Sequence, residues 1–178
     1  MNALKTEIGE DRTLQRLQAL GISLPEPPGR AGLYTQCRLF GENMVYLSGC
    51  GPQIAGTPCA LGKLGGEVSI EEGQAAARAC MINALAILKK NLGSLDRIDK
   101  MVKMLAFVAS RNDFYQQPLV ADGASRTLVD IFGEEAGCAA RSAIGVNVLP
   151  GNIPVEIELL LTLSLIHISE PTRPEPIS

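Results

Sequence analysis

Apolar positions along the chain fall into blocks whose period changes from helical to alternating and back. Leu14, Leu17 and Leu20 recur at helical spacing among charged residues, so the pattern predicts a short amphipathic helix over residues 9–20, ending at Gly21. Leu24-Pro-Glu-Pro-Pro-Gly-Arg-Ala-Gly32 carries too much proline and glycine for regular structure and reads as a connector. Extended runs follow at Tyr34–Phe40 and Met44–Cys50, joined by Gly41-Glu42-Asn43, a turn short enough for a hairpin. The stretch Gly51–Glu67, with glycines at 51, 56, 62, 65 and 66, is a loop. Ser69-Ile-Glu-Glu72 is a capping box, in which the serine accepts from an early backbone N–H and the glutamate reaches back to the serine amide. A long helix therefore starts at Ile70 and runs to Leu92, stopping at Gly93. Its alanines alternate with Ile82, Leu85, Ile87 and Leu88 to make a broad, flat apolar face suited to a sheet.

Asp99–Ser110 is nearly continuous in apolar residues, which predicts a central strand covered on both faces. A second helix is expected over Pro118–Phe132, with proline tolerated in its first turn and Gly133 at its end. From Ala139 to Glu158, β-branched residues alternate with small or polar ones on both sides of Leu149-Pro-Gly-Asn152, reading as two antiparallel strands about a turn. Strand, strand, helix, strand, helix, strand, strand is an α+β order, a mixed β-sheet with two helices packed on one face. Residues 1–23 form a helical extension and 24–163 the main domain. From Ser164 the chain turns proline-rich and aperiodic, so 164–178 reads as a non-native or disordered tail, excluded from functional reasoning with His167.

At 178 residues the chain suits one domain, which buries roughly 70% of its unfolded surface. Its 46% apolar and 20% charged content is that of a soluble protein. No apolar run approaches the roughly 18 residues of a membrane span and the N-terminus has no signal-peptide pattern, so no membrane partner and a cytoplasmic location are expected. A net charge of −3 argues against nucleic acid as a partner. Cys37, Cys50, Cys59, Cys80 and Cys138 are odd in number and never spaced C-x-x-C, which favours reduced packing thiols. His167 is the only histidine, so neither a Cys-His nor a Ser-His pair is expected, and no metal-ligand spacing is present. The glycine-dense loop matches neither phosphate-binding motif, which argues against a nucleotide.

Two charged residues stand out near the end, Arg141 and Glu156, each among small or apolar neighbours. Charges leave water only when paired or used. They read either as an ion pair pinning two strands or as members of a site. Glu158 shares a strand face with Glu156, so the two glutamates also read as a solvated stripe.

Arg141-Ser-Ala-Ile followed past Leu149-Pro150 by Val155-Glu156-Ile-Glu158 resembles the C-terminal signature of the RidA family, also called YjgF and, under an older name, endoribonuclease L-PSP. Gly32-Leu-Tyr34 with Gly41-Glu-Asn-Met-Val-Tyr-Leu-Ser48-Gly49, and Gly62-Lys-Leu-Gly65-Gly66 with Ser69-Ile-Glu-Glu-Gly-Gln, resemble its earlier segments, and the likeness spans roughly residues 24–163. The resemblance implies a chorismate-mutase-like fold, a homotrimer with sites at subunit interfaces, and hydrolysis of 2-enamine or 2-imine acids to 2-oxo acids and ammonia without metal, flavin or nucleotide. Arg141 would hold the substrate carboxylate and Glu156 would position or deprotonate water, with Tyr34, Ser48 and Gly49 lining the pocket. Ala143 stands where the family often has cysteine, and the asparagine that usually begins its second helix has no obvious match in 112–118. RNA cleavage and non-catalytic binding of a small carboxylate are the competing functions. On a hairpin, Arg141 and Glu156 would lie roughly 20 Å apart, so cooperation would require two subunits.

Overall fold

The structure, a computed structural model, describes residues 11–165. The first two residues of the expected N-terminal helix, and the tail from 166 with His167, lie outside the described residues. Helix α1 (Arg12–Ala19) is capped by Asp11, whose side chain accepts from the Leu14 amide. It buries Leu17 and anchors its first turn on Asp96, which accepts from the Arg12 amide at 2.8 Å and the Thr13 amide at 2.9 Å.

Strands β1 (Cys37–Phe40) and β2 (Met44–Cys50) form the expected hairpin. The first starts three residues later than the pattern suggests: Tyr34 lies in a bend, where the proline- and glycine-rich connector is still crossing the end of the sheet. A two-residue ribbon, β3 (Gln53–Ile54) with β4 (Thr57–Pro58), interrupts the loop. Helix α2 (Ile70–Leu92) begins at Ser69 with both capping-box hydrogen bonds present and ends at Gly93, whose φ of 83° is the left-handed conformation that a side chain disfavours. After the long strand β5 (Ile98–Ala109), helix α3 spans Gln117–Gly137, with proline in its first turn. Its regular turns stop at Gly133, as expected: that residue takes φ 81° and ψ 169°, and a separate last turn then runs to Gly137, folded back against the Leu128 and Val129 backbone.

Strands β6 (Ala140–Val146) and β7 (Val155–Leu163) are where topology departs most from expectation. The sheet order is β1-β2-β7-β5-β6, so β5 separates the two strands of the supposed hairpin. β6 lies parallel to β5, joined to it through α3, and β7 returns antiparallel between β2 and β5. The segment 147–154, with a 3-10 turn at Pro150–Asn152, is longer than a usual hairpin loop and carries the chain across β5. The result is a mixed five-stranded sheet in an α+β chain, with α2 and α3 packed on one face.

Alternation on β7 sets the layers. Val155, Ile157, Leu159, Leu161 and Leu163 are buried toward the helices, beside Met104, Ala106 and Val108 of β5 and Val45 and Leu47 of β2. Each such large side chain contributes about 1.5–3 kcal/mol on leaving water. The intervening residues Glu156, Glu158 and Leu160 share the opposite face with Leu105, Phe107 and Tyr46, and no element among the described residues covers it. β5 is therefore covered on one face only, its apolar run being split between a buried and a half-exposed side.

Candidate functional site

β2 and β7 pair regularly as far as Leu47 opposite Leu159, after which the register slips by one so that Cys50 faces Ile157. Ser48 and Gly49 together thus occupy the place opposite Glu158, a β-bulge that re-aims the strand end. Its effect falls on Glu156. A Cβ built on Gly49 would fall on the Glu156 carboxylate, overlapping Oε1 and lying 2.7 Å from Cδ, so the carboxyl packs directly over the glycine.

The two residues form part of a cleft of about 590 Å³ at the end of the sheet. Gly32 and Tyr34 of the connector form one wall, Cys50 and Ile87 the floor, and Ile153 closes the turn side. Among the described residues, Glu156 is the sole charged one lining it. Burial raises the Glu156 carboxyl above its ordinary pKa, and the neighbouring Glu158 carboxylate adds to the shift. Burial likewise pushes the Cys50 thiol up to about 12, with Glu156 as a second cause, so Cys50 is a packing group and no thiolate nucleophile. Tyr34 is fixed in its bend: its carbonyl accepts from Arg30 Nη1 at 3.3 Å, and its hydroxyl accepts from the Ala31 amide.

Of the residues singled out from sequence, Glu156, Gly49 and Tyr34 come together here, and Ser48 does not. Its hydroxyl donates to the Thr35 carbonyl at 2.8 Å and ties β2 to the chain before β1. Glu158 shares the open face with Glu156, and the Tyr46 hydroxyl donates to its Oε2 at 2.8 Å.

Arg141 stands elsewhere. On the edge strand β6 it pairs with Met104, which pairs in turn with Leu159, so all three share the helix-facing side of the sheet. Glu156 pairs with Phe107 and through it with Ile144, on the open side. Two strand spacings and three residues of rise separate the backbones of Arg141 and Glu156 by about 14 Å. Their side chains point to opposite faces, and the ion pair that would pin two strands is absent. Arg141 instead donates through Nη1 to Asp122 Oδ1 at 2.8 Å and to Ser125 Oγ at 2.9 Å, both on α3. Sequence reading missed these partners, although Asp and Ser at i and i+3 of a helix were a signal that both face the same neighbour.

All five cysteines are free, and among the described residues no group of three or more His, Cys, Asp or Glu is placed to hold a metal. No helix among them is long and apolar enough to cross a membrane.

An open-faced mixed sheet under two helices, with a glycine-packed carboxylate in a cleft at its end, defines a class of small α+β proteins. The family model described as "YjgF/chorismate mutase-like, putative endoribonuclease" matches residues 14–163, and the chain belongs to this YjgF/RidA family. It is similar to Protein TCP17 of Trypanosoma cruzi, 38% identical over 157 residues that cover 88% of this chain and 98% of the relative. Among solved structures it is similar to Atu1372 of Agrobacterium tumefaciens, a protein of unknown function, at 35% identity and a TM-score of 0.80, covering 86% and 94% of the two chains. It is also similar to E. coli TdcF with bound serine, at 26% identity and a TM-score of 0.57, covering 78% and 94%.

Proposed function

We propose that this protein hydrolyses 2-imino and 2-enamino acids to 2-oxo acids and ammonia, working as a homotrimer whose sites are shared between subunits. The observation that carries this reading is the Glu156 carboxyl, half-buried over Gly49 in an otherwise uncharged cleft and raised in pKa. A carboxyl poised nearer neutrality takes a proton from water and returns it to a leaving amine, two transfers one group performs best when its pKa is close to the working pH. Water adds to the imine carbon as Glu156 takes one of its protons and passes it to the nitrogen, and the carbinolamine then collapses to the carbonyl as its hydroxyl proton travels through the same carboxylate to the nitrogen and ammonia leaves.

The substrate carboxylate needs a cation, and the cleft lining has none. Arg141 of a second copy supplies it in this reading. The uncovered sheet face supports such an assembly, since Phe107, Leu160, Tyr46 and Leu105 lie half-buried or exposed on it. So does the edge position of β6, which leaves Arg141 approachable from outside the sheet. The serine held by TdcF is an amino acid whose carboxylate and α-nitrogen are those of the proposed substrates. RNA cleavage, the activity in the family's descriptive name, is less well served: the cleft lining offers no lysine, arginine or histidine to grip a phosphate or move a proton.

The deciding experiment is ammonia release from freshly generated 2-iminopropanoate. Wild-type protein should exceed the buffer rate many-fold, and Glu156→Gln and Arg141→Ala should both fall to near it. Carboxylate binding with no ammonia release would leave a binding or regulatory protein in place of an enzyme.

A further inference from the structure

The arginine assigned to the substrate carboxylate already holds a carboxylate of its own. Both of its hydrogen bonds run through a single nitrogen, Nη1, to Asp122 Oδ1 and Ser125 Oγ, leaving the Nε and Nη2 edge of the guanidinium without a protein partner among the described residues. That edge is the two-pronged one, the geometry that grips a carboxylate bidentately. The Arg141 side chain is 23% exposed and Asp122 33%, so the pair is neither sealed in the core nor loose in solvent.

The support behind the pair is rigid. Gly123, next to Asp122, lies so close to α2 that a Cβ there would overlap the Gln74 backbone, and Gln74 Nε2 donates to the Leu119 carbonyl at 2.8 Å. α2 and α3 are thereby locked at the turn that presents Asp122 and Ser125. The guanidinium is tethered on the other side by β6, in parallel register with β5. The helix pair therefore fixes the place of the Asp122 carboxylate and the Ser125 hydroxyl against which the guanidinium rests.

Resting on the reading of Arg141 given above, we propose that Asp122 and Ser125 are positioning residues that hold Arg141 by one corner and turn its bidentate edge outward to receive the substrate carboxylate. Asp122 acts as a hydrogen-bond acceptor at a fixed place, and its charge is secondary. Removing the acceptor lets a long side chain spread over its rotamers and lose the bidentate geometry. Replacing it by an amide keeps an oxygen acceptor at the same position.

The test is calorimetric binding of 2-oxobutanoate, a product-type acid that does not turn over, to full-length protein, alongside ammonia release and thermal unfolding. Asp122→Ala should weaken binding at least tenfold and raise KM in parallel with kcat within about twofold, because the Glu156 chemistry is untouched. Asp122→Asn should stay within threefold of wild type, and Ser125→Ala should fall between. Wild-type affinity in a folded Asp122→Ala protein would overturn the proposal. So would equally tighter binding in both Asp122 variants, which would make the aspartate only a competing charge. Loss of binding equal in Asn and Ala variants, accompanied by a collapse in Tm, would reduce the pair to a structural contact. If Arg141→Ala binds the acid as wild type does, the inference falls with its premise. If the acid binds through Arg141 and no imine is hydrolysed, the deaminase reading fails and the positioning role stands.

Discussion

Gly49→Ala isolates the contact on which the site depends. The new methyl would overlap Glu156 Oε1 and stand 2.7 Å from Cδ, so the carboxyl has to rotate away from its place. What yields is the end of a flexible side chain, and Gly49 is outside the left-handed region, so alanine fits the backbone. Gly→Ala at such a site gains about 0.4–1 kcal/mol by narrowing the unfolded ensemble. An off-rotamer glutamate costs about 0.5–1.5 kcal/mol, so the two nearly cancel. Tm should therefore stay within about 4 °C of wild type, the shift that 1 kcal/mol causes in a chain of this size. Activity should not survive: displacing a reacting group by about 1 Å typically costs on the order of 100-fold. kcat/KM for 2-iminopropanoate is the assay, with Glu156→Gln as reference and the double variant as control. Because both changes remove one carboxyl from one place, the double variant should be no worse than the poorer single one. Activity within threefold of wild type in Gly49→Ala would refute the role given to Glu156, and a deep loss of Tm would refute the packing account.

The acid limb of kcat/KM should lie above the ordinary glutamate pKa, since activity requires ionised Glu156, and Glu158→Gln should move that limb down in part, burial being the larger cause. The fold holds the Glu156 proton more tightly than the unfolded chain does, so ionisation costs stability as pH rises through the folded pKa; Glu156→Gln should raise Tm at pH 8 and leave it unchanged near pH 4. Arg141→Ala and Glu156→Ala proteins, mixed after partial unfolding, should regain activity in about a quarter of sites if each site joins two subunits of a cyclic trimer, and demonstrable mixing without recovery would refute sharing. A thiol reagent should modify Cys59 and Cys138 in the native protein and reach Cys37, Cys50 and Cys80 only on unfolding.

Helix α2 was legible to the residue because its capping box and its terminal glycine are local signals that need no tertiary partner. β7 was legible from strict alternation. The hairpin reading of β6 and β7 failed for the complementary reason: strand pairing is non-local, and Leu149-Pro-Gly-Asn152 looks like a turn whether the next strand lies adjacent or one strand further on. That β5 is their common neighbour follows from the parallel crossover through α3, which period alone does not reveal. For the site, Glu156 and Arg141 were visible as charges among apolar neighbours, whereas the side of the sheet each occupies depends on the same unseen register. Ser48 entered only through the resemblance, and the bulge that places it with Gly49 opposite Glu158 leaves no mark in the alternation of β2.

The position of β7 has a consequence for how the protein is made. It is the last strand among the described residues and lies in the middle of the sheet, so β1 and β2 have no link to β5 and β6 until it arrives. During synthesis the hairpin and the β5-α3-β6 crossover emerge from the ribosome as two halves with bare edges, and a nascent chain stopped anywhere before Val155 lacks the strand that joins them. Such late, long-range closure slows folding and leaves unpaired strand edges open to association. Its final strand is thus the clasp that joins the two halves of the sheet.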